Sequence, residues 1–504
     1  MSKWWPLVAV SLGVFMLLTD VSIVIVALPD IGTGLGMDFA GLQWVLDGYA
    51  LALAALMLGL GALADRRGRR RVYIAGLTVF ALASLACGLA PNGAVLIAAR
   101  VVQAGGGAAM SATAMALLNL AYQGRDRGVA FGVWGAVSGA AAATGPVVGG
   151  VLTEYLGWRS IFLVNLPVSV AAVALALRTL PESRDPHARR IDLPGTVTFT
   201  AAAGTLVLML IRGGTDGWTS APVLALATAA VVSLAAFVLV EARSAHPLLE
   251  LALLRNPSFT GVMLCGLFYS AAAFSCLPYS SLWLQSVLGQ GPLAAGLVML
   301  PMSAVAFAVS AVAGRRLSTL PAAVPLGGGL AVIGVGGLLQ CTLDGSSGWG
   351  ALLPGLAVAG LGVGAVSPVL ASSAMAAVPR ERGGMAGGAL NTFRQLGQAL
   401  GIAVFGLVLH HGLRSGLADA PAVPDPEAGA RALSTGRIPA DTPEALVRTA
   451  FATALDHTLL AAALTALAGA ALVAVLLRPR PRTGNHQAPA PARNGAAAEH
   501  QRTA

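Results

Sequence analysis

Apolar residues in this chain come in long unbroken runs separated by short polar gaps, not in the helical or alternating periods of a water-soluble domain. The runs fall at about residues 7–28, 43–63, 72–90, 94–118, 128–152, 161–180, 196–212 and 221–241, then at about 259–285, 294–314, 323–343, 350–374, 383–411 and 451–477. Each is close to the ~20 residues that a helix needs to cross ~30 Å of hydrocarbon. The pattern predicts an all-α integral membrane protein with fourteen transmembrane helices, spans 1 to 14.

The gaps set the orientation. Arg66, Arg67, Arg69, Arg70 and Arg71 fill gap 2/3 and further arginines fill gaps 4/5, 6/7, 8/9, 10/11 and 12/13, whereas gaps 1/2, 3/4, 9/10 and 11/12 hold none. Arginine in short loops is retained in the cytoplasm, which places both termini there. Gap 13/14, Gly412 to Ala450, is rich in Pro, Ala and acids and reads as a loosely ordered outer loop; the tail from Arg478 lacks apolar periodicity and reads as disordered. Two groups of six spans flank a central pair, and Gly314, Arg315 and Arg316 look like a worn copy of gap 2/3. Such internal duplication is a transporter trait. The expected division is a six-helix bundle over 1–180, an inserted helix pair with linkers over 181–258, a second six-helix bundle over 259–477 and a cytoplasmic tail over 478–504.

Composition narrows the function. The 504 residues are 56% hydrophobic and 11% charged, and the mean hydropathy is +0.77, more apolar surface than a soluble domain can bury. The net charge of +9 sits in loops and tail, so topology and anionic lipid explain it better than nucleic acid does. Cys87, Cys265, Cys276 and Cys341 lie inside apolar runs, as small hydrophobes do, with no disulfide or metal spacing. Lys3 is the sole lysine, which excludes a nucleotide-binding P-loop and a retinal Schiff base. Lys3 also precedes a run of full spanning length interrupted by Asp20, unlike a cleaved signal peptide. No nucleophile or metal constellation appears and the loops are too short for a catalytic domain, so an enzyme is not expected.

Charges inside the spans are the candidate chemistry. Asp20 lies in span 1, about 12 Å below its outer end, and Arg100 lies about 9 Å below the outer start of span 4, at 1.5 Å per residue. They are therefore level. Burial favours a neutral acid and a guanidinium favours a carboxylate, so helix motion that alters their separation can switch Asp20 between proton-bound and ionised states. Gln103 follows Arg100 by one turn. Asp47, near the outer start of span 2, reads equally as a solvated helix-start carboxylate or as part of the transport path. Gly135, Gly139, Gly145, Pro146, Gly149 and Gly150 line span 5, where small residues permit close helix packing. His410, His411 and His457 read as interfacial residues near the outer ends of spans 13 and 14.

Several of these segments occur in the order of a known family. Gap 2/3, GALADRRGRRR, resembles the GxLaDrxGrr loop of the major facilitator superfamily through Gly61, Leu63, Asp65, Arg66, Gly68, Arg69 and Arg70. LTDVSIVIVALP in span 1 resembles the LDxTIVNVALP segment of the fourteen-helix drug:proton antiporters of the EmrB/QacA type, with Ile25 in place of the family's Asn. Arg100 and Gln103 match the span 4 pattern, with Ala104 for Gly and Ala112 for a frequent Pro. Gly145-Pro146 followed by Gly149-Gly150 resembles the antiporter motif of proton-driven exporters. WRSIFLVNLP at 158–167, IDLPG at 191–195 and LNTFRQLGQALG at 390–401, with Asn391, Arg394 and Gly397, resemble further family segments.

The resemblance implies the major facilitator fold with fourteen spans and proton-coupled efflux of small amphipathic drugs or antibiotics by alternating access. It implies a monomer in the bacterial cytoplasmic membrane, with protons, substrate and lipid as partners and no cofactor beyond the proton gradient. In that scheme Asp20 carries the proton, Arg100 sets its affinity, and Asp47 and Gln103 assist. The superfamily's loop acid, here Asp65, sits near Gly383 and stabilises the outward-facing state. The rival reading is a facilitator or importer of a polar metabolite on the same fold, against which the span 5 motif speaks; a non-transporting membrane enzyme or sensor is the more distant rival. No Asp or Glu occurs between Glu250 and Asp344 or within 383–411, which departs from family members with acids in the second half and weakens any claim of dication export. Heavy use of Arg, Ala and Gly suggests a GC-rich bacterial genome, where such exporters serve resistance or self-protection.

Overall fold

A computed structural model describes residues 3–184, 192–244, 247, 250–317, 320–378, 383–418, 423–438 and 442–478. The protein is all-α. The first group of helices is α1 (Trp5–Leu35), α2 (Phe39–Arg67), α3 (Arg69–Gly88), α4 (Gly93–Ala121), α5 (Gly124–Leu156), the single turn α6 (Ser160–Leu163) and α7 (Asn165–Thr179). A pair follows, α8 (Leu193–Asp216) and α9 (Ala221–Arg243). The remainder is α10 (Pro257–Phe274), α11 (Leu277–Leu282), α12 (Pro292–Leu317), α13 (Ala323–Gln340), α14 (Leu353–Ala376), α15 (Gly383–Ala418), α16 (Pro426–Ser434) and α17 (Glu444–Leu476). Among the described residues, 13 helical stretches are long and apolar enough to cross a membrane. The run at 128–152 falls on α5, several of whose side chains lie outside the described residues.

Short polar side chains start these helices where the gaps end. Asp38 accepts from the Gly41 amide at 2.8 Å, Asn92 from Val95 at 3.0 Å and Asp192 from Gly195 at 2.8 Å, each satisfying an amide the helix leaves free. The IDLPG segment is thus a capped helix start. The run expected at 259–285 is broken: α10 ends at Phe274, Pro278 sits in the first turn of α11, and residues Trp283–Val287 form a π-helical turn. Proline lacks the amide that would continue the ladder, and π turns often mark functional bends.

Helices touch through small residues, because hydrocarbon supplies no hydrophobic drive for helix association and close contact must come from packing. A Cβ on Gly145 of α5 would lie 1.8 Å from Ser22 Oγ on α1, and one on Gly106 of α4 would lie 2.7 Å from the Gly76 carbonyl on α3. The later helices repeat the device, with Gly355 of α14 against the Gly336 carbonyl of α13 at 2.5 Å.

The apolar cores reveal the shape. Toward the arginine-bearing ends there are two separate cores, one around Leu7, Tyr73, Phe80 and Leu117 and the other around Phe259, Leu330, Val366 and Leu390. At the opposite ends one core runs through Ile23, Leu28, Phe162, Trp283, Phe405 and Leu455 and joins both groups of helices. Polar bridges reinforce that closure: Gln285 donates to the Val26 carbonyl at 2.7 Å, Gln43 to Tyr279 Oη and the Ile402 carbonyl at 3.2 Å each, and the Leu293 amide to Glu154 at 3.0 Å. The pair α8 and α9 packs outside, with only Val223, Ala230 and Glu241 of α9 buried.

Two expectations are corrected in the segment after α15. The described part of gap 13/14 is helical: α15 extends to Ala418, and the short helix α16 buries Gly429, Ala430, Leu433 and Ser434 against the bundle, while 419–422 and 439–441 lie outside the described residues. Its apolar positions recur at helical spacing, a signal the Pro and acid content hid. His410 is not interfacial but buried, 3.1 Å from Glu427 and 3.5 Å from Ser434 Oγ. The expected tail, from residue 479 onward, lies outside the described residues.

Glu427 stitches α16 to α15 through His410 and Arg414 and pairs with Arg431 within α16. Partial burial pushes its carboxyl up, but the hydrogen bond and charge of His410, with Arg431, outweigh this and hold it below the usual glutamate value. A depressed value contributes stability above the unfolded pKa that is lost as pH falls through the folded one. Ala430→Cys should therefore resist 4,4′-dithiodipyridine, which still reacts in acid, at neutral pH and become reactive below about pH 4; unchanged protection down to pH 3 would show that α16 docks without Glu427.

Candidate functional site

The polar residues that sequence reading placed level in spans 1 and 4 meet in the interior. Arg100 Nη1 lies 2.5 Å from Asp20 Oδ2, and each residue is about 1% exposed. Three donors converge on the Asp20 carboxylate: Arg100, Gln103 Nε2 at 2.9 Å and Asn165 Nδ2 at 2.9 Å. Arg100 Nη1 also donates to Gln103 Oε1 at 2.7 Å and its Nε to the Val45 carbonyl at 3.4 Å, while Gln103 Nε2 donates to Ser84 Oγ at 2.8 Å. The guanidinium carbon stands 4.0 Å from the Tyr49 ring centroid, a cation over an aromatic face. α1, α3, α4 and α7 each contribute a side chain to this one network.

Geometry of this quality is what a buried ion pair requires. Taking two charges out of water costs several kcal/mol per ion, recovered only when the pair is close and its remaining donors and acceptors are satisfied. Here every oxygen of Asp20 is occupied and Gln103 is oriented by both partners. The arrangement can hold a negative charge at Asp20 or, if Arg100 recedes, leave the amides of Gln103 and Asn165 around a neutral acid.

Asp47 is the contrasting acid. Of its two readings, the solvated helix-start carboxylate is not observed: it is 0% exposed and neither carboxylate oxygen has a hydrogen-bond partner. One turn earlier Gln43 bonds Tyr279 and α15, so the later helices close over this face of α2 and remove the solvent. His411 and His457 are exposed, as expected of interfacial residues.

The remaining candidates divide between loop and packing roles. Asp65 accepts from Arg69 Nε at 2.8 Å, Arg71 Nε lies 3.7 Å from Glu182, the Arg70 amide donates to Glu182 at 3.2 Å, and Arg70 also bonds the Leu177 carbonyl. Gly68 turns the chain at φ 115°, and a side chain there would strike Glu182. Arg66 is exposed and Gly61 faces Ala112 of α4. The partner expected for Asp65 near Gly383 borders residues 379–382, outside the described residues. In α5, Gly149 meets the Ile23 carbonyl of α1, Gly150 meets Leu293 of α12 and the Pro146 carbonyl meets Gly296; Gly135 and Gly139 lie in the same helix. Asn391, Arg394 and Gly397 lie on α15, with Gly397 tight against the Leu267 carbonyl of α10.

With this geometry in place, similarity to known proteins becomes informative. The sequence profile of the Major Facilitator Superfamily matches residues 10–402. The chain belongs to the major facilitator superfamily. It is 39% identical over 425 residues to Multidrug resistance protein Stp of Mycobacterium tuberculosis, covering 83% of this chain and 79% of that one. It is 35% identical over 404 residues to Methylenomycin A resistance protein of Streptomyces coelicolor, covering 80% and 85%. The fold matches the crystal structure of a bacterial homolog of the human lysosomal transporter Spinster, in an inward-facing and occupied conformation, with a TM-score of 0.65 at 17% identity over 95% of this chain and 98% of that one. This facilitator is therefore a multi-pass transporter of the bacterial plasma-membrane type.

Three participants in the facilitator's polar network escaped sequence reading. Ser84 is one serine among small residues and carries no signal; Tyr49 is an aromatic at ordinary spacing. Asn165 stood in a recognised segment, and an amide within an apolar run was the available cue. Glu182, which anchors gap 2/3, looked like any loop acid.

Arg100→Gln should strand the Asp20 carboxylate among amides and cost roughly 3–5 kcal/mol, the usual penalty for breaking a buried pair from one side. Thermal unfolding of the purified protein in detergent should show a large drop for Arg100→Gln and substantial recovery in the Asp20→Asn/Arg100→Gln double variant. Equal loss in both would mean that the pair is not the unit of stability.

Proposed function

We propose that this transporter exports small amphipathic drugs or antibiotics in exchange for protons, with Asp20 as the proton carrier. The observation that carries this reading is the wholly buried Asp20–Arg100 pair, surrounded by Gln103 and Asn165. A charge there is tolerated only while the guanidinium is near, and intramembrane acids of this kind mark ion pathways. Asp47, buried without a hydrogen bond, is the second proton site, and a neutral acid suits that environment.

Fourteen spans with the arginine-bearing gaps inside make the joined core the outer gate, so the conformation is inward-facing. The α1–α5 and α5–α12 contacts through Gly145, Gly149 and Gly150 lock that gate. Opening it slides α1 along α5 and moves Asp20 relative to Arg100, which couples proton affinity to access. Asp65 and its neighbouring arginines act in the alternate state, where gap 2/3 meets the second half. The resistance and export names of the relatives support outward drug transport; the helices divide into bundles at 1–180 and 259–477 with an inserted pair at 181–258.

In everted vesicles, dye efflux by the native protein should follow the imposed pH gradient. Asp20→Asn should abolish that dependence while dye-for-dye exchange persists. Retained uphill transport with unchanged proton coupling would shift the role to Asp47. For topology, cysteines at Gly93 and Gly345 should label from outside intact cells and cysteines at Arg125 and Gly383 should not; the reverse pattern would invert the gate assignment.

A further inference from the structure

The second group of helices holds a charge that nothing among the described residues neutralises. Arg394 is half-buried on α15, its Nε is buried without a hydrogen-bond partner, and its guanidinium carbon lies 5.6 Å from the Tyr269 ring centroid. Among the described residues it makes no hydrogen bond and no ion pair. α10 to α15 contain no Asp or Glu. Arg100, the intramembrane arginine of the first half, has a carboxylate at 2.5 Å.

Arg394 does not stand alone. Asn391, Arg394, Gln395 and Gln398 recur at the i, i+3, i+4, i+7 spacing that aligns side chains along one side of a helix. All four are half-buried, and none of their side chains bonds another described residue. This stripe cannot face lipid at no cost, because unsatisfied amides and a guanidinium in hydrocarbon are each expensive. Nor is α15 a peripheral helix. It packs against α2, α8, α10, α14 and α17, with Thr392 donating to the Ala54 carbonyl of α2 at 3.1 Å and Gly397 pressed on α10. Polar groups that are neither bonded nor lipid-facing point to the seam between the two groups of helices, whose apolar cores are separate at the arginine-bearing ends.

We propose that the Asn391–Arg394–Gln395–Gln398 face of α15 is a substrate-binding wall and that Arg394 selects amphipathic molecules bearing an anionic oxygen group. A planar guanidinium flanked by amide donors matches an oxyanion through paired hydrogen bonds, and an uncompensated cation in a low dielectric is stabilised when the ligand brings the counter-charge. Tyr269 partly shields the cation in the empty state and offers a ring to the apolar body of the ligand. The inference rests on the transport reading above and adds the substrate class to it.

The test is made at equilibrium, without a proton gradient, so it succeeds or fails independently of proton coupling. Gln398→Cys in the full-length protein in nanodiscs is reacted with a negatively charged and a positively charged methanethiosulfonate, with the unsubstituted protein as background for its four natural cysteines. The wall should favour the anionic reagent, and Arg394→Gln should lower the anion-to-cation rate ratio roughly tenfold, the order expected for one charge a helical turn away. Arg394→Lys, which keeps the charge, should preserve the ratio. In a second arm, 1-naphthoate should slow labelling when Arg394 is present and lose that protection in Arg394→Gln, whereas neutral 1-naphthalenemethanol should be indifferent to the substitution. An unreactive Gln398→Cys, a ratio insensitive to Arg394, or equal protection by both naphthalenes or by neither, would overturn the assignment. Loss of gradient-driven efflux with these results intact would instead count against the antiport reading alone.

Discussion

One buried ion pair constrains the first half of this protein more than any other contact. Asp20 and Arg100 sit where neither charge can reach water, so four helices must hold their spacing closely enough to keep the guanidinium on the carboxylate and the amides of Gln103 and Asn165 on its other face. A hydrophobic pair of similar volume would fill the space at less cost. Retaining the charges makes sense for a site whose protonation has to depend on how the helices are arranged.

The packing around the pair is suited to such dependence. α1 carries Asp20 and lies on α5 through close contacts at Gly145 and Gly149, and α5 in turn lies on α12 through Gly150 and the Pro146 carbonyl. Smooth backbone contacts permit sliding where interlocked side chains would resist it. The ends opposite the arginines meanwhile share a core reinforced by Gln43, Gln285 and Glu154, while the arginine-bearing ends keep two cores. In the proposed cycle, a rocking motion that exchanges these arrangements passes through α1, and so through Asp20. α15 lies on the same axis of motion: it touches α2 at Thr392 and presents Arg394 from the opposite half. On the proposed function, a proton site in the first half faces a substrate-binding wall in the second.

Much of this was legible in the sequence because membrane chemistry leaves few options. Apolar runs have to be helices, arginines have to stay inside, and an acid within a span has to find a partner; Asp20, Arg100 and Gln103 followed from depth and resemblance. What stayed hidden were contacts made by residues with no unusual chemistry, such as Ser84, or whose surroundings are set by distant helices. Asp47 read equally as a solvated helix-start acid or as part of the transport path because its own helix starts nearby, and the closure of Tyr279 and α15 over that face of α2 excludes the first. α16 was obscured by its prolines and acids, whose capping and pairing roles through Asp425 and Glu427 appear only once His410 is seen beneath them. The profile of the superfamily reaches residue 402 and stops short of that segment.

The central claim is that the Asp20 carboxyl gains and loses a proton during the cycle. Infrared difference spectra of the reconstituted protein, taken as pH is lowered, read the carbonyl stretch of protonated carboxylic acids directly. The account predicts a carboxyl band that rises as pH falls and disappears in Asp20→Asn, distinct from any band of the other buried acids, Asp47 and Glu241. A titrating band that survives Asp20→Asn unchanged and vanishes in Asp47→Asn would contradict it.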